Sequence, residues 1–180
     1  MTIFKLSLKL LSTHAVMSII QFVLMLPLFG IFTDNQIYQW IIGILFIGIF
    51  WLVIYGDMSS NGLQDAKSGK YKSHKGFIAG LLCTIPGIIL YIATILYEPD
   101  ISNKINWFNV ILRIWLSPYI KIFNSLESSM PHPALVVNML LPIVAGISYM
   151  DGLRQQKKIR DVIEEADKTK IEKSKIGYKK

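Results

Sequence analysis

Residues 56–76 read GDMSSNGLQDAKSGKYKSHKG, which gathers two aspartates, an asparagine, serine hydroxyls, a histidine and four lysines. Two ligand chemistries use such residues. A phosphate loop needs G-x-x-x-x-G-K-[ST] between a strand and a helix, so that successive amides surround the phosphates and a hydroxyl reaches Mg²⁺. Here six residues separate Gly62 from Gly69, Lys70 is followed by Tyr71, and no strand precedes, so the pattern fails. A calcium loop fits further: Asp57, Ser59, Asn61, Gly62 and Asp65 fall at positions one, three, five, six and nine of an EF-hand loop. Position twelve, which needs a bidentate Glu, is Ser68, and the flanks are apolar. What remains is a candidate cytoplasmic loop site of Asn61, Asp65 and Gly69, beside Lys67, Lys70, Lys72 and Lys75, which read as a topology and lipid anchor.

The other reactive side chains are sparse. The single cysteine, Cys83, offers no disulfide framework or thiolate metal site, and His14, His74 and His132 are scattered. No H-E-x-x-H, no G-x-S-x-G and no paired membrane carboxylates occur. No catalytic residue, metal or cofactor is therefore assigned. A membrane enzyme acting on a lipid substrate would have to assemble its site from Asp57, Asp65, His74 and Asp151.

The elements that position these groups follow from hydropathy. The 180 residues are 52% hydrophobic and only 17% charged, and the mean hydropathy is +0.44. A soluble domain carries about a quarter charged residues. Residues 10–32, 38–55 and 76–97 contain no Asp, Glu, Lys or Arg, and each approaches the roughly 20 residues that cross a hydrocarbon core. Residues 133–150 form a fourth, shorter span with Asn138 inside it. The first apolar run is too long for a signal-peptide core, and its exit lacks a small-x-small cleavage pattern, so it reads as an uncleaved anchor. His14 lies one turn from its lysine-bearing end, within reach of headgroups.

Four spans place sixteen of the nineteen Lys and Arg on one side, including those of a charged tail over residues 153–180. Basic residues favour the cytoplasm, so both termini are expected there, in a multi-pass protein of the cell membrane. The other side receives Lys104, Arg113 and Lys121 against Asp34, Glu98, Asp100 and Glu127. The net charge of +7 is thus a topology signal that needs no nucleic acid. The basic rim should attract anionic lipid headgroups. The tail places Arg160 and Glu164 four residues apart and reads as a solvated helix or a docking segment.

Residues 104–126 are apolar but hold Arg113, Lys121 and Pro118. On a helix, Asn106, Asn109, Arg113, Ser117, Lys121 and Asn124 form one polar stripe. The segment reads as an external amphipathic interfacial or re-entrant helix. Alternatively, the stripe faces a water-filled cavity and lines a transport path. On the third span Gly76, Gly80, Thr84 and Gly87 recur at steps of four, four and three, a small-residue stripe suited to close packing within the bundle or against a partner. Pro27, Pro86 and Pro142 predict kinks in three spans.

The spacing of Asn61, Asp65 and Gly69, the run KGFIAGLLCTIPGII, the later ILRIWLSPYIKIFN and a last span ending LPIVAGISYMDGLR carry a resemblance. Over roughly residues 40–155 the chain resembles a group of uncharacterised small polytopic, about four-span integral membrane proteins of Gram-positive bacteria. That resemblance implies the topology and no chemistry. The expectation is an all-α polytopic membrane helical bundle over residues 1–152 with a basic cytoplasmic tail. Its leading function is that of a non-enzymatic accessory or interaction component, acting through lipids and a membrane protein partner or homo-oligomer. The alternatives are a subunit of a small-molecule or ion transporter and the lipid enzyme.

Overall fold

A computed structural model describes residues 1–31, 35–97, 105–125 and 132–177, with side chains described as far as residue 168. Asp34, Glu98, Asp100, Lys104 and Glu127, which enter the charge argument for the outer side, lie outside the described residues, as do the ends of the 104–126 segment. Among the described residues the chain is all helical: α1 (Ile3–Ile31), α2 (Gln36–Lys67), α3 (Lys75–Leu96), α4 (Trp107–Trp115), a 3₁₀ turn (Ser117–Tyr119), α5 (Ile120–Ser125) and α6 (His132–Gly177). Four helices, α1, α2, α3 and the His132–Lys168 part of α6, are long and apolar enough to cross a membrane. The protein is a polytopic helical bundle.

The helices outrun the apolar windows that announce them. At about 1.5 Å per residue, the 32 residues of α2 extend well past a hydrocarbon core of about 30 Å. Its polar last third, residues 56–67, is therefore helix and not the loop expected from composition. Asn35 starts α2 by accepting from the amides of Ile37 at 3.1 Å and Tyr38 at 3.3 Å. Gly69, with φ of 68°, ends it. The amides of Gly69 and Lys70 return to the carbonyls of Ala66 and Asp65 at 3.3 and 2.9 Å. This is a Schellman closure, which calls for a residue in the left-handed region.

Helix α6 packs against both α2 and α3, and α1 packs against the same pair. Small residues set the distances. A Cβ built on Gly76 would meet Tyr149 Cβ at 2.5 Å, one on Gly80 would meet Pro142 Cα at 2.5 Å, and one on Gly87 would meet the Asn138 amide at 2.6 Å. The small-residue stripe of α3 thus faces α6 of the same chain. Gly62 of α2 and Gly152 of α6 make a second contact of this kind, with the Tyr149 carbonyl and the Ser59 carbonyl. Without a solvent-driven hydrophobic effect in lipid, such close approach supplies much of the association energy.

The segment between α3 and α6 is a broken hairpin rather than one continuous amphipathic helix. Pro118 within WLSPY ends the α4 register, and the apex Leu116, Ser117 and Tyr119 is buried at 1%, 0% and 4% exposure. The hairpin begins beside the end of α3, where Asn106 Nδ2 donates to the carbonyls of Thr94 and Tyr97. At the start of α6, the Tyr91 hydroxyl of α3 lies 3.0 Å from His132 Nδ1. Its apex reaches Ser18, close to the middle of α1: Ser18 Oγ donates to the Trp115 carbonyl at 2.8 Å and Ser117 Oγ to the Ser18 carbonyl at 2.6 Å.

Gly62→Ala and Gly80→Ala are expected to destabilise the bundle by about 1–3 kcal/mol each, as overpacking does. Gly48→Ala and Gly56→Ala, where an added Cβ meets nothing within 4 Å, should leave the thermal midpoint in detergent unchanged or raise it. Equal effects in the two pairs would contradict the packing described.

Candidate functional site

The most concentrated polar chemistry lies where the start of α1, the end of α2 and the start of α3 meet the middle of α6. Asp65, on the last turn of α2, is buried with 5% of its side chain exposed, and Lys75, the first residue of α3, with 4%. The Lys75 ammonium donates to Asp65 Oδ2. Tyr149 of α6 donates its hydroxyl to the same oxygen at 2.7 Å, and the Met1 amino nitrogen donates to Oδ1 at 2.7 Å. One carboxylate thus touches a group from the start of the chain, from α3 and from α6, and fills three of its roughly four acceptor positions.

A second strip continues along the polar third of α2. Lys9 of α1 sits 2.5 Å from Asp57 Oδ1 and 3.4 Å from Asn61 Oδ1. The Asn61 amide donates to the Asp57 carbonyl at 2.6 Å. On the opposite side, Asp151 of α6 accepts from the Tyr55 hydroxyl at 2.5 Å and from Gln155 at 3.1 Å, and Gln155 also donates to Ser59 Oγ at 2.9 Å.

The residues singled out from sequence are therefore distributed as follows. Asn61 and Asp65 lie on a helix, not on a loop, and both are buried; only Gly69 belongs to the turn. Asp65 holds helix ends together, Asn61 braces the Lys9 contact, and Gly69 closes α2. Asp57, Asp65 and Asp151 pair with different partners, while His74 is exposed in the turn. Among the described residues no group of three or more His, Cys, Asp or Glu is placed to hold a metal ion. Lys67, Lys70 and Lys72 are exposed, as an anchor for headgroups requires, but Lys75 points inward and is neutralised by Asp65. Its removal from the anchor set follows from the partner ten residues upstream.

The polar stripe of residues 106–124 is divided by the hairpin. Asn106 caps α4 through the Asn109 amide at 3.1 Å. Arg113 Nη1 donates to Asn124 Oδ1 at 3.3 Å across the fold of the hairpin. Lys121, only 7% exposed, donates to Gln39 Oε1 at 2.8 Å and lies 5.6 Å from the centre of the Trp40 ring. Its stem packs on Gly43 of α2.

Sequence reasoning missed the interior of α1. His14, placed near headgroups by its position, is 3% exposed; its ring stacks on Trp115 at 4.5 Å and meets the Phe50 ring edge-on at 5.2 Å. The buried residues of α1 include Ser7, Leu10, His14, Ser18, Gln21 and Met25, at steps of three and four, a stripe the sequence does contain. Around the hairpin, His14 Nδ1, Asn109 Oδ1, Trp115 Nε1 and Tyr119 Oη are buried without a hydrogen-bond partner, as is Gln21 Oε1.

No family model, no curated protein and no solved structure matches this chain. Beside the Asp65 cluster opens a cavity of about 560 Å³ whose lining includes Gly69, Lys70, Tyr71, Lys72 and Lys75. Tyr71 stacks on Tyr149, with centroids 5.3 Å apart and planes within 9°. Burial raises the Tyr71 phenol above its ordinary pKa, against the opposing pull of Arg154, so it stays a hydrogen-bond donor.

Asp65→Asn is expected to leave Lys75 buried without its counter-charge and to destabilise the protein by about 3–5 kcal/mol. Adding Lys75→Met to that variant should recover part of the loss, because the unpaired charge is gone. Thermal midpoints of the wild type, both single variants and the double variant, in one detergent, measure the coupling; additive losses would deny it.

Proposed function

We propose that this membrane protein is a non-enzymatic accessory or interaction component that acts through protein and lipid contacts, seated in the cell membrane with both termini cytoplasmic. One observation carries the reading: the polar groups of the candidate loop site are engaged in joining this chain's own helices. Asp65 takes Met1, Lys75 and Tyr149, and Asp57 takes Lys9. What the bundle turns outward is apolar helix face and exposed lysine. The sixteen basic residues assigned to one side support the orientation. Kinship with the small polytopic membrane proteins of Gram-positive bacteria belongs to this proposal and rests on the KGFIAGL and RIWLSPY segments.

The face best suited to a protein partner is the open groove between α2 and α6, lined by Gly48, Trp51, Leu52, Tyr55, Leu140 and Val144. A second reading, a subunit of a small-molecule or ion transporter, is favoured by one specific observation. The unpaired polar atoms of His14, Asn109, Trp115 and Tyr119 surround a broken hairpin between the spans. Irregular backbone at membrane depth is tolerated where it is buried in protein or lines a water-filled cavity.

Purification in mild detergent should recover a discrete membrane protein partner or a second copy in constant ratio. Gly48→Phe, at a position with nothing within 4 Å of an added Cβ, should release it without lowering the thermal midpoint. Asn109→Ala and Arg113→Ala should leave the assembly intact. A partner-free monomer in wild type, together with solute-protected labelling of cysteines placed at Asn109 and Arg113, would favour the transporter instead.

A further inference from the structure

The cavity beside the Asp65 cluster has an apolar neighbour. A groove of about 230 Å³ runs between α1 and α3, lined by Phe4, Leu8, Leu11, Leu82, Ile85 and Pro86 among others, and its Phe4 follows Ile3 of the cavity lining in the chain. Both helices start at the cavity, since Met1, Thr2 and Ile3 share its lining with Lys75. They run side by side from there, so the groove starts next to the cavity at Phe4 on α1 and reaches about two to three turns along α3. On α1, Phe4, Leu8 and Leu11 follow at steps of four and three. On α3, Leu82 lies two turns below Lys75 and Pro86 one turn further. Phe4, Leu8, Leu82 and Ile85 are 73%, 52%, 39% and 44% exposed, so the groove opens to the surroundings of the bundle.

We propose that cavity and groove form a single binding site for an anionic phospholipid. The phosphate sits among Lys70, Lys72 and the Tyr71 hydroxyl, and one acyl chain lies along Phe4, Leu8, Leu82 and Ile85. Charge decides the occupant. Of the ionised groups at the cavity, Asp65 and Lys75 neutralise each other, which leaves Lys70 and Lys72 in excess, with the Met1 amino group on the remaining Asp65 oxygen. The N-terminal end of α3 opens at the same place, where His74 provides no side-chain cap, and its partial positive charge favours an anion. A partner helix would fill the groove but leave these lysines unanswered. A phospholipid answers both, a headgroup above and a chain below, in the order the bilayer imposes.

This site deepens the lipid half of the function proposed above, and its test is separate from partner recovery, so either can fail alone. Purified protein is titrated with phosphatidylglycerol or phosphatidylcholine of identical acyl chains, and retained lipid is counted by native mass spectrometry. Phosphatidylglycerol should be held in preference. The double variant Lys70→Ala, Lys72→Ala should weaken its retention roughly thirtyfold, about fivefold per lysine. Lys67→Ala, which removes the same charge from the exposed last turn of α2 outside the cavity, should change it little. Leu82→Trp, which fills the groove from a half-exposed position, should also weaken retention, with an unchanged thermal midpoint. An equal loss with Lys67→Ala would overturn the site in favour of diffuse attraction. Equal retention of phosphatidylcholine, no effect of Leu82→Trp, or displacement of the lipid by millimolar inorganic phosphate would each overturn it as well.

Discussion

The buried pair of Asp65 and Lys75 constrains everything around it. Two charges with 5% and 4% of their side chains exposed are held in a poorly solvating environment, where each would be strongly disfavoured alone. They persist because the carboxylate has further donors, the Tyr149 hydroxyl and the Met1 amino group. These donors come from the beginning of the chain, from α3 and from α6, while the acceptor is on α2. The pair therefore fixes how the start of α1, the end of α2 and the start of α3 sit against the middle of α6. A membrane bundle, in which lipid tails compete equally for every apolar face, has few other ways to specify such alignment.

That alignment also depends on absent side chains. Tyr149 reaches Asp65 because α6 lies against α2 at Gly62 and against α3 at Gly76, with no Cβ on either to hold it away. Tyr71, in the turn between α2 and α3, then stacks on the Tyr149 ring. The Schellman closure at Gly69 brings that turn back, with the Lys70 amide on the Asp65 carbonyl at 2.9 Å. Glycine packing, turn geometry and the ion pair are consequently one device. Lys70 and Lys72 of the KSGKYKSHKG segment stay exposed on the cavity wall beside it.

Much of this was legible in the sequence, and the rest was not for physical reasons. Charge-free windows reveal spans because ionised groups rarely enter hydrocarbon unpaired, so the four long helices and the small-residue stripe of α3 could be read directly. The end of α2 could not, because hydropathy reports polarity and not backbone conformation: SSNGLQDAK reads as a loop while forming helix. Lys75 read as one more anchor because a lysine's direction depends on a partner in three dimensions. Residues 104–126 kept a helical period through Pro118, which breaks the helix and turns Ser117 and Lys121 inward. Asn61, Asp65 and Gly69 stand out in the sequence by their spacing, and in the structure that spacing describes a turn and two braces.

The two halves of the bundle treat polarity in opposite ways. At the Asp65 end nearly every acceptor is matched to a donor from another helix, which makes that end a rigid clamp with little capacity left for a ligand except on its lysine-lined outer wall. Near the middle, the hairpin apex is anchored by the reciprocal serine bonds at Ser18 and Ser117, yet His14, Trp115 and Tyr119 around it retain unpaired polar atoms. An unpaired polar group in a low-dielectric interior is disfavoured by about 1–3 kcal/mol, so water or a ligand admitted there would be bound with a corresponding gain. The clamp and the hairpin are therefore complementary: one fixes the helices, and the other keeps a cluster of unpaired polar groups, from His14, Asn109, Trp115 and Tyr119, inside the bundle.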